Sequence, residues 1–565
     1  MKAIPKILAV CLLLGLSNAC TEDFAEVNTN PGLVTDPQLS HLLTESLCQL
    51  GDYQYTEWFY DNYQYISRYS EALVAQGGNS PEFNILGATG DRYGAYYRSV
   101  LQNLFEIRRR IDAMEDGQRA RFEKLRAVTY VPQVLQGIKV TDWYGAMPYS
   151  EALQGRGNSG FTPTYDSQPE LFDTWLEQLD DALAVLIADL PEQQELGSQD
   201  FIYQGDYAKW AKLANSLKLR IAVRLLGTDQ VKAQQIIDEV VSSPAGMIIA
   251  DEDQMVWEPA TDYRGKAYDF AGAPSAAKNF MDFLRTNRDP RTRVFFEKND
   301  FSQANVDSLL ALGVTLPKFV NQPVEEWDRY QGGPVSPDSA SLYDYFRVIT
   351  NSENQQYLQL SHVNRRFFDP RFENGIGHYV DVMFSAAEVN LYLAEFVEKG
   401  LISQGSAREW YNAGVASSLR TYDMIADKAQ ILDYDELRLN EAEIDPLLAM
   451  PDYALDGTNN LEKIYLQQYV NFFRLPNEMG ALTRRTGYPK LGSDIFPWEP
   501  VVSSGRVIPL PRRFAIGEPG LEVNLSNWRQ AMEEQGFTPG ANEGNVLNEE
   551  RVWWDENNPD YGRGE

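Results

Sequence analysis

DYAKWAKLANSLKLRIAVR, from Asp206 to Arg224, is the best-patterned stretch of the chain. Trp210, Leu213, Ala214, Leu217 and Ile221 recur at steps of three and four, which lays a single apolar stripe along a helix. Asp206, following Gly205, stands as the N-cap of that helix. Lys209, Lys212 and Lys218 fall opposite the stripe, and Arg220 and Arg224 lie toward the C-terminal end, where cations suit the helix dipole. The pattern predicts an amphipathic helix with one buried face and one charged, solvated face.

Working outward, Ser167 and Glu170 form a capping-box pattern ahead of Leu171, Phe172, Trp175, Leu176, Leu179, Leu183 and Leu186, a second strong helix. Farther upstream, periodic apolar residues predict helices over Tyr93–Ile111 and Ala120–Val140, with an aromatic-dense helix over Tyr53–Tyr69. Asp36 and Pro37 read as the N-cap and first-turn proline of another helix carrying Leu39 to Leu50. Downstream, capping boxes at Ser385/Glu388 and Ser406/Glu409, with Gly400 between them as a helix stop, outline two antiparallel helices of tetratricopeptide type. From about Met255 to Gly375 regularity drops, and Gly, Pro, Asn and Asp mix with Trp257, Tyr263, Trp327, Tyr330 and Tyr343. The tail from Thr486 onward reads as an extended segment laid over the helices. The fold class is therefore mostly α, a helical hairpin array with long irregular loops.

The N-terminus is a targeting segment. Lys2 and Lys6 precede the apolar run Ile7–Leu16, too short to span a bilayer, and Leu16-Ser17-Asn18-Ala19 leads into Cys20. This resembles a bacterial lipoprotein signal, with residues 1–19 removed and Cys20 lipidated. Residues 20–36 then read as an acidic, turn-rich tether and 37–565 as one domain. Of the three cysteines, Cys11 leaves with the signal and Cys20 carries lipid, so Cys48 has no disulfide partner. A formal charge of −31 repels nucleic acid and anionic lipid, so the membrane is met only through the N-terminal lipid.

Catalytic signatures are missing. The three histidines, His41, His362 and His378, stand far apart, and there is no zinc spacing, nucleophile elbow, phosphate loop or dinucleotide fingerprint. Asp555–Asp560 and Asp456–Asn460 could hold calcium through oxygen ligands, but neither has EF-hand spacing, so no cofactor is expected. What the composition does offer is 31 Tyr and 11 Trp, side chains that stack on sugar rings or peptide side chains when they lie in loops.

Several segments in chain order resemble the SusD/RagB family, specifically its SusD-like branch of surface lipoproteins. They include Asn28-Thr29-Asn30-Pro31, Asp142-Trp143-Tyr144-Gly145-Ala146-Met147-Pro148-Tyr149, Ile202-Tyr203-Gln204-Gly205-Asp206 running into Lys209-Trp210, and Asn215 to Arg220. Ala387-Glu388-Val389, Tyr411-Asn412-Ala413-Gly414-Val415, Arg484 to Pro489 and Ile508 to Arg513 continue the series. The resemblance implies a tetratricopeptide-like fold without catalytic machinery, on the outer face of the outer membrane. It implies nutrient binding above a partner, a TonB-dependent SusC-type β-barrel transporter. By region, it points to Phe83, Asn84, Tyr263, Trp327 and Tyr330 as ligand contacts. The expected ligand is an oligosaccharide; an oligopeptide is the alternative, and a surface glycan hydrolase a less favoured one.

Overall fold

The structure, a computed structural model, describes residues 37–51, 56–87, 91–154, 160–259, 274–342, 346, 348–519 and 523–565. Helices of at least nine residues are numbered here. α1 (Leu39–Cys48), α2 (Gln102–Asp112), α3 (Tyr130–Tyr144), α4 (Gln168–Ile187), α5 (Tyr207–Leu225) and α6 (Gln230–Ser242) make the first half. α7 (Lys278–Thr286), α8 (Gln303–Ala311), α9 (Ala386–Glu398), α10 (Ala407–Ala429), α11 (Asn460–Asn471), α12 (Pro476–Thr486) and α13 (Leu525–Glu534) make the second. α4, α5 and α6 pack in succession, as do α9, α10 and α11, and one hydrophobic core runs through both groups. The fold is mostly α, with eight short strands paired two by two among the described residues.

Local chemistry sets the helix ends. Asp206 caps α5, accepting from the Ala208 and Lys209 N–H groups, and the boxes at Ser167/Glu170 and Ser406/Glu409 both close. Gly400 follows α9 in the left-handed region at φ 72°. Only the third box differs. Ser385 accepts from the Glu388 N–H, but the Glu388 carboxylate turns away from the cap to bind Arg220 through two bonds of 2.7 and 2.8 Å.

That contact exposes the main departure from the periodicity of α5. Lys218, Arg220 and Arg224 are 2, 4 and 1 % exposed, so from Leu213 onward the helix is enclosed all round rather than on one face. Its charges are matched by other helices. Lys218 meets Asp180 and Glu239, while Arg224 grips Asp142 at 2.7 Å and Glu478 at 2.8 Å. Buried ions are tolerated only when paired and hydrogen-bonded in this way. Burial alone raises the Glu478 carboxyl, yet Arg220 and Arg224 outweigh it and hold the group down to about 2. The same Arg–carboxylate pairing recurs, enclosed, at Arg291/Asp289, Arg485/Glu395 and Arg512/Asp555.

Other expectations are corrected in detail. The aromatic segment is a π-helix over Thr56–Ile66 rather than an α-helix, and a second π stretch, Tyr96–Leu101, interrupts the next helix. The helix expected over Ala120–Val140 breaks at Thr129 and runs on to Tyr144. Asp36 lies outside the described residues, and the N-cap of α1 is Gln38, without a side-chain cap. The irregular middle contains α7 and α8, and the tail carries α13.

Glu71 is a buried carboxyl whose described partner is a backbone N–H group rather than a cation. It is 1 % exposed, and its oxygens accept from the Glu499 N–H at 3.2 and 3.0 Å. Burial pushes it well up, so the folded protein holds this proton to higher pH than the unfolded chain does. Its contribution is complete below the unfolded carboxyl value of about 4.3 and is lost as pH rises toward the folded value. The melting temperature of Glu71→Gln should therefore fall less than that of the native protein between about pH 5 and pH 8. Thermal melts with equal pH slopes in the two proteins would remove Glu71 from this account.

Candidate functional site

The site is assembled by extended segments from distant parts of the chain. β1 (Leu73–Val74) pairs antiparallel with β3 (Ser275–Ala276), and β2 (Met255–Trp257) with β6 (Asp381–Phe384), while β4 (Ile349–Thr350) and β5 (Gln356–Tyr357) form a hairpin. Ser275 also bridges His362, and Ala277 bridges Gly333. The Ala276 N–H donates to Ser361 O at 3.0 Å, the Ser361 N–H to Gln331 O at 2.8 Å, and the Gly333 N–H to Ala276 O at 2.9 Å. Residues 72–74, 275–277, 331–333 and 361–363 thus lie side by side.

The loop leaving β1 is pinned by Asn79. Its Oδ1 accepts from the Ala75 N–H and Arg68 Nε, and its Nδ2 donates to Val335 O at 2.9 Å. Against this loop opens a cleft of about 250 Å³ lined by Gln76, Gly77, Phe346, Val348, Leu358, Gln359, Leu360 and His362. Two glycines make room for the Phe346 ring. A Cβ on Gly333 would stand 2.7 Å from it, and one on Gly78, at φ 87°, 3.3 Å from it and 3.0 Å from the Ala340 Cβ. An aromatic ring beside amide and imidazole groups can stack on one face of a ring-shaped ligand and bond to its rim.

The described lining holds no Asp or Glu. A larger depression of about 430 Å³ lies at the ends of α5 and α9. Its cations are engaged, Arg485 by Glu395 at 2.7 Å and Lys399 by Glu565 at 2.5 Å. A polar cavity of about 60 Å³ between α3, α5 and α12 holds a few waters' worth of space and belongs to the scaffold.

The residues expected from sequence fall in two separate places. Phe83, 5 % exposed, lies under the Arg68 guanidinium at 5.1 Å, with its carbonyl accepting from the Tyr69 hydroxyl at 3.0 Å. Asn84 beside it donates to Pro509 O at 3.0 Å, tying the loop to the tail. Trp327 and Tyr330 meet at 5.7 Å between ring centroids; Tyr330 is buried, whereas Trp327 is half-buried. Burial pushes the Tyr330 phenol up, so it remains protonated. Tyr263 and Cys20 lie outside the described residues. Phe346, Gln76 and His362 were not anticipated. The available signal was the pair of glycine clusters, Gly77-Gly78 and Gly332-Gly333, which read as loop breakers but make the slot for an aromatic ring.

The two acidic loops are satisfied internally. Asp555 binds Arg512 at 2.6 and 2.8 Å, and Asp456 accepts from the Thr458 N–H at 2.9 Å and pairs with Lys463 at 3.3 Å. No group of three or more His, Cys, Asp or Glu suited to a metal occurs among the described residues. Nor is any described helix long and apolar enough to cross a membrane.

Comparison with known proteins adds an independent line. A family model, SusD-like 2, described as starch-binding and associating with the outer membrane, matches residues 31–315 and 339–514. No curated protein matches the chain. Among solved structures, a chitin-binding protein is 21% identical with a TM-score of 0.68, over 92% of this chain and 100% of its own. A SusD homologue from Bacteroides fragilis is 20% identical (TM-score 0.65; 91% of this chain, 99% of its own). A chitin-binding SusD homologue from Flavobacterium johnsoniae is 18% identical (TM-score 0.62; 92% and 99%).

Proposed function

Because the chain belongs to the SusD-like family of starch-binding proteins associated with the outer membrane, we propose that it captures an oligosaccharide in the cleft beside Phe346. It then passes the sugar to a TonB-dependent SusC-type β-barrel transporter. Residues 37–565 act as the single binding domain, held at the outer face by lipid on Cys20 after the 20–36 tether. It works as a binding protein, not an enzyme.

The observation that carries this reading is the Phe346 ring, lodged between Gly78 and Gly333 and facing a cleft whose described lining is free of carboxylates. A flat apolar face with uncharged polar neighbours matches a neutral sugar ring better than a charged chain. Trp327, with part of its ring free, supplies a second contact for a longer glycan; Phe83, Asn84 and Tyr330 act behind the surface, and Tyr263 stays a candidate contact.

Calorimetric titration against maltooligosaccharides and chito-oligosaccharides tests this directly. Phe346→Ala should weaken binding by about tenfold or more, about 1.4 kcal/mol, while Phe346→Trp retains it and circular dichroism stays unchanged. Silence toward every glycan together with oligopeptide binding would replace the sugar by a peptide. Release of product from any of these ligands would replace binding by hydrolysis.

A further inference from the structure

One wall of the cleft is built differently from the rest of the molecule. Phe301, Val306, Leu309 and Tyr357 form a small hydrophobic core separate from the main one, with Val314, Leu316, Val320, Val324 and Ile349 packed around it. This lobe comprises α8, the loop that follows it and the β4–β5 hairpin. Its neighbours Tyr330 and Val335, close in sequence, belong to the main core instead.

Among the described residues, most of the hydrogen bonds between the lobe and the body gather at one crossing, a long one from Asn321 Nδ2 to Asp328 Oδ1 at 3.5 Å lying apart from it. The Asp300 N–H donates to Leu358 O at 3.1 Å, and Asp300 Oδ2 accepts from the Leu358 N–H at 2.7 Å. Asn299 Nδ2 donates to Gln359 O at 3.1 Å, and the Asn299 N–H to Arg329 O at 2.8 Å. Val348 and Leu358, at the base of the hairpin, line the cleft together with Gln76 and Gly77, whose loop Asn79 fixes to the body. The family match also breaks at this place, leaving residues 316–338 outside it.

We propose that residues 301–324 and 348–357 are a self-cored jaw that swings about the Asn299–Asp300/Leu358–Gln359 crossing and sets the width, and so the selectivity, of the cleft. A core of four buried side chains opens at lower free energy than the body, because sub-global units with few buried contacts open first. Val348, which it carries into the cleft lining, moves with it, whereas Gln76 does not. Variation in 316–324 then retunes the cleft without touching α5 or its ion pairs. The selectivity part rests on the reading of the cleft as the ligand site; the motion does not.

The test is a distance measurement between spin labels at Gln76→Cys and Val348→Cys in the full chain, with single-labelled controls for the buried Cys48. Two distance populations are expected, with Leu309→Ala enlarging the longer one. A single narrow distance, unchanged by Leu309→Ala, overturns the jaw. Hydrogen exchange is the second measurement. Leu309→Ala should speed exchange in 303–311 and 349–357 by about 30-fold or more, the low end for a buried leucine truncation, while amides of α5 keep their protection. An equal rise in both regions would mean one cooperative unit and also overturns it. Finally, a chito-oligosaccharide that binds by calorimetry should collapse the distances onto the shorter population. Binding that leaves them unchanged separates the jaw from selectivity. Absence of all glycan binding refutes the cleft's function, and the unliganded distances still decide the jaw.

Discussion

Trp210→Ala is expected to lower stability by about 3–5 kcal/mol, the range for truncating an enclosed tryptophan, without altering which ligand is bound. The indole is fully buried, packs edge-on against Tyr203 at 5.2 Å, and donates through Nε1 to Asp200 Oδ2 at 2.7 Å. Asp200 also gathers the N–H groups of Ile202, Tyr203 and Gly205, so this contact fastens the turn entering α5 to its first helical turn. Losing the ring removes apolar burial and takes from Asp200 a donor that helps keep it ionised against a burial that raises it. Denaturant unfolding gives the magnitude, and calorimetry on the folded variant gives the affinity. A variant that folds yet binds nothing would mean that α5 is part of the site after all.

Arg224→Met is expected to be of the same size, about 3–5 kcal/mol at neutral pH, because it takes the cation from the enclosed Asp142 and leaves the enclosed Glu478 with Arg220 alone, at 3.7 Å. Arg224 holds Asp142 through Nε and Nη2 at 3.3 and 2.7 Å and Glu478 through Nη1 at 2.8 Å. Of the two arginines, only Arg220 then opposes the burial that raises the Glu478 carboxyl, so the variant recovers stability as pH falls toward the carboxylate range. The native protein behaves in the opposite sense at Glu478, whose low value keeps its contribution intact until strongly acidic pH. Unfolding curves from pH 7 to pH 4 distinguish the two; a deficit independent of pH would point to lost packing alone. Glu478→Met added to Arg224→Met should restore part of the loss, since one carboxylate deprived of its nearest cation is then gone.

These two residues also mark the boundary of what the sequence discloses. Trp210 sits in an apolar stripe, and the cap at Asp206, the boxes at Ser167 and Ser406 and the stop at Gly400 are chemistry between residues a few positions apart. Such features are legible because cause and effect share one turn of backbone. Arg224 reads as a solvated cation because its partners Asp142 and Glu478 lie 82 and 254 residues away. Periodicity identifies a face but not whether another helix covers it. The π-helices escape for a related reason: a shift in backbone hydrogen bonding leaves no distinct side-chain spacing over so short a run.

The same distance rule governs the site. The family resemblance directs attention to the loop around Phe83 and to the irregular middle, and only as regions. Which side chains face the cleft is not legible there, because Gln76 and His362 are brought together by the pairing of 73–74 with 275–276 and of 275 with 362, and Phe346 joins them in the space left at Gly78 and Gly333. Phe83 and Asn84 spend their groups on Arg68, Tyr69 and Pro509, contacts that nothing nearby in sequence announces.

That pairing carries a consequence for how the protein comes into being. A chain emerging from its N-terminus presents Leu73 and Val74 long before Ser275 and Ala276 exist, so the two-residue strand waits some two hundred residues for its partner, and Ser275 waits in turn for His362. Closing so long a loop before any contact repays it is intrinsically slow. The cleft is therefore among the last features to form during biogenesis. Fragments ending before residue 362 would leave an unpaired edge, a ready substrate for quality-control proteases and for aggregation.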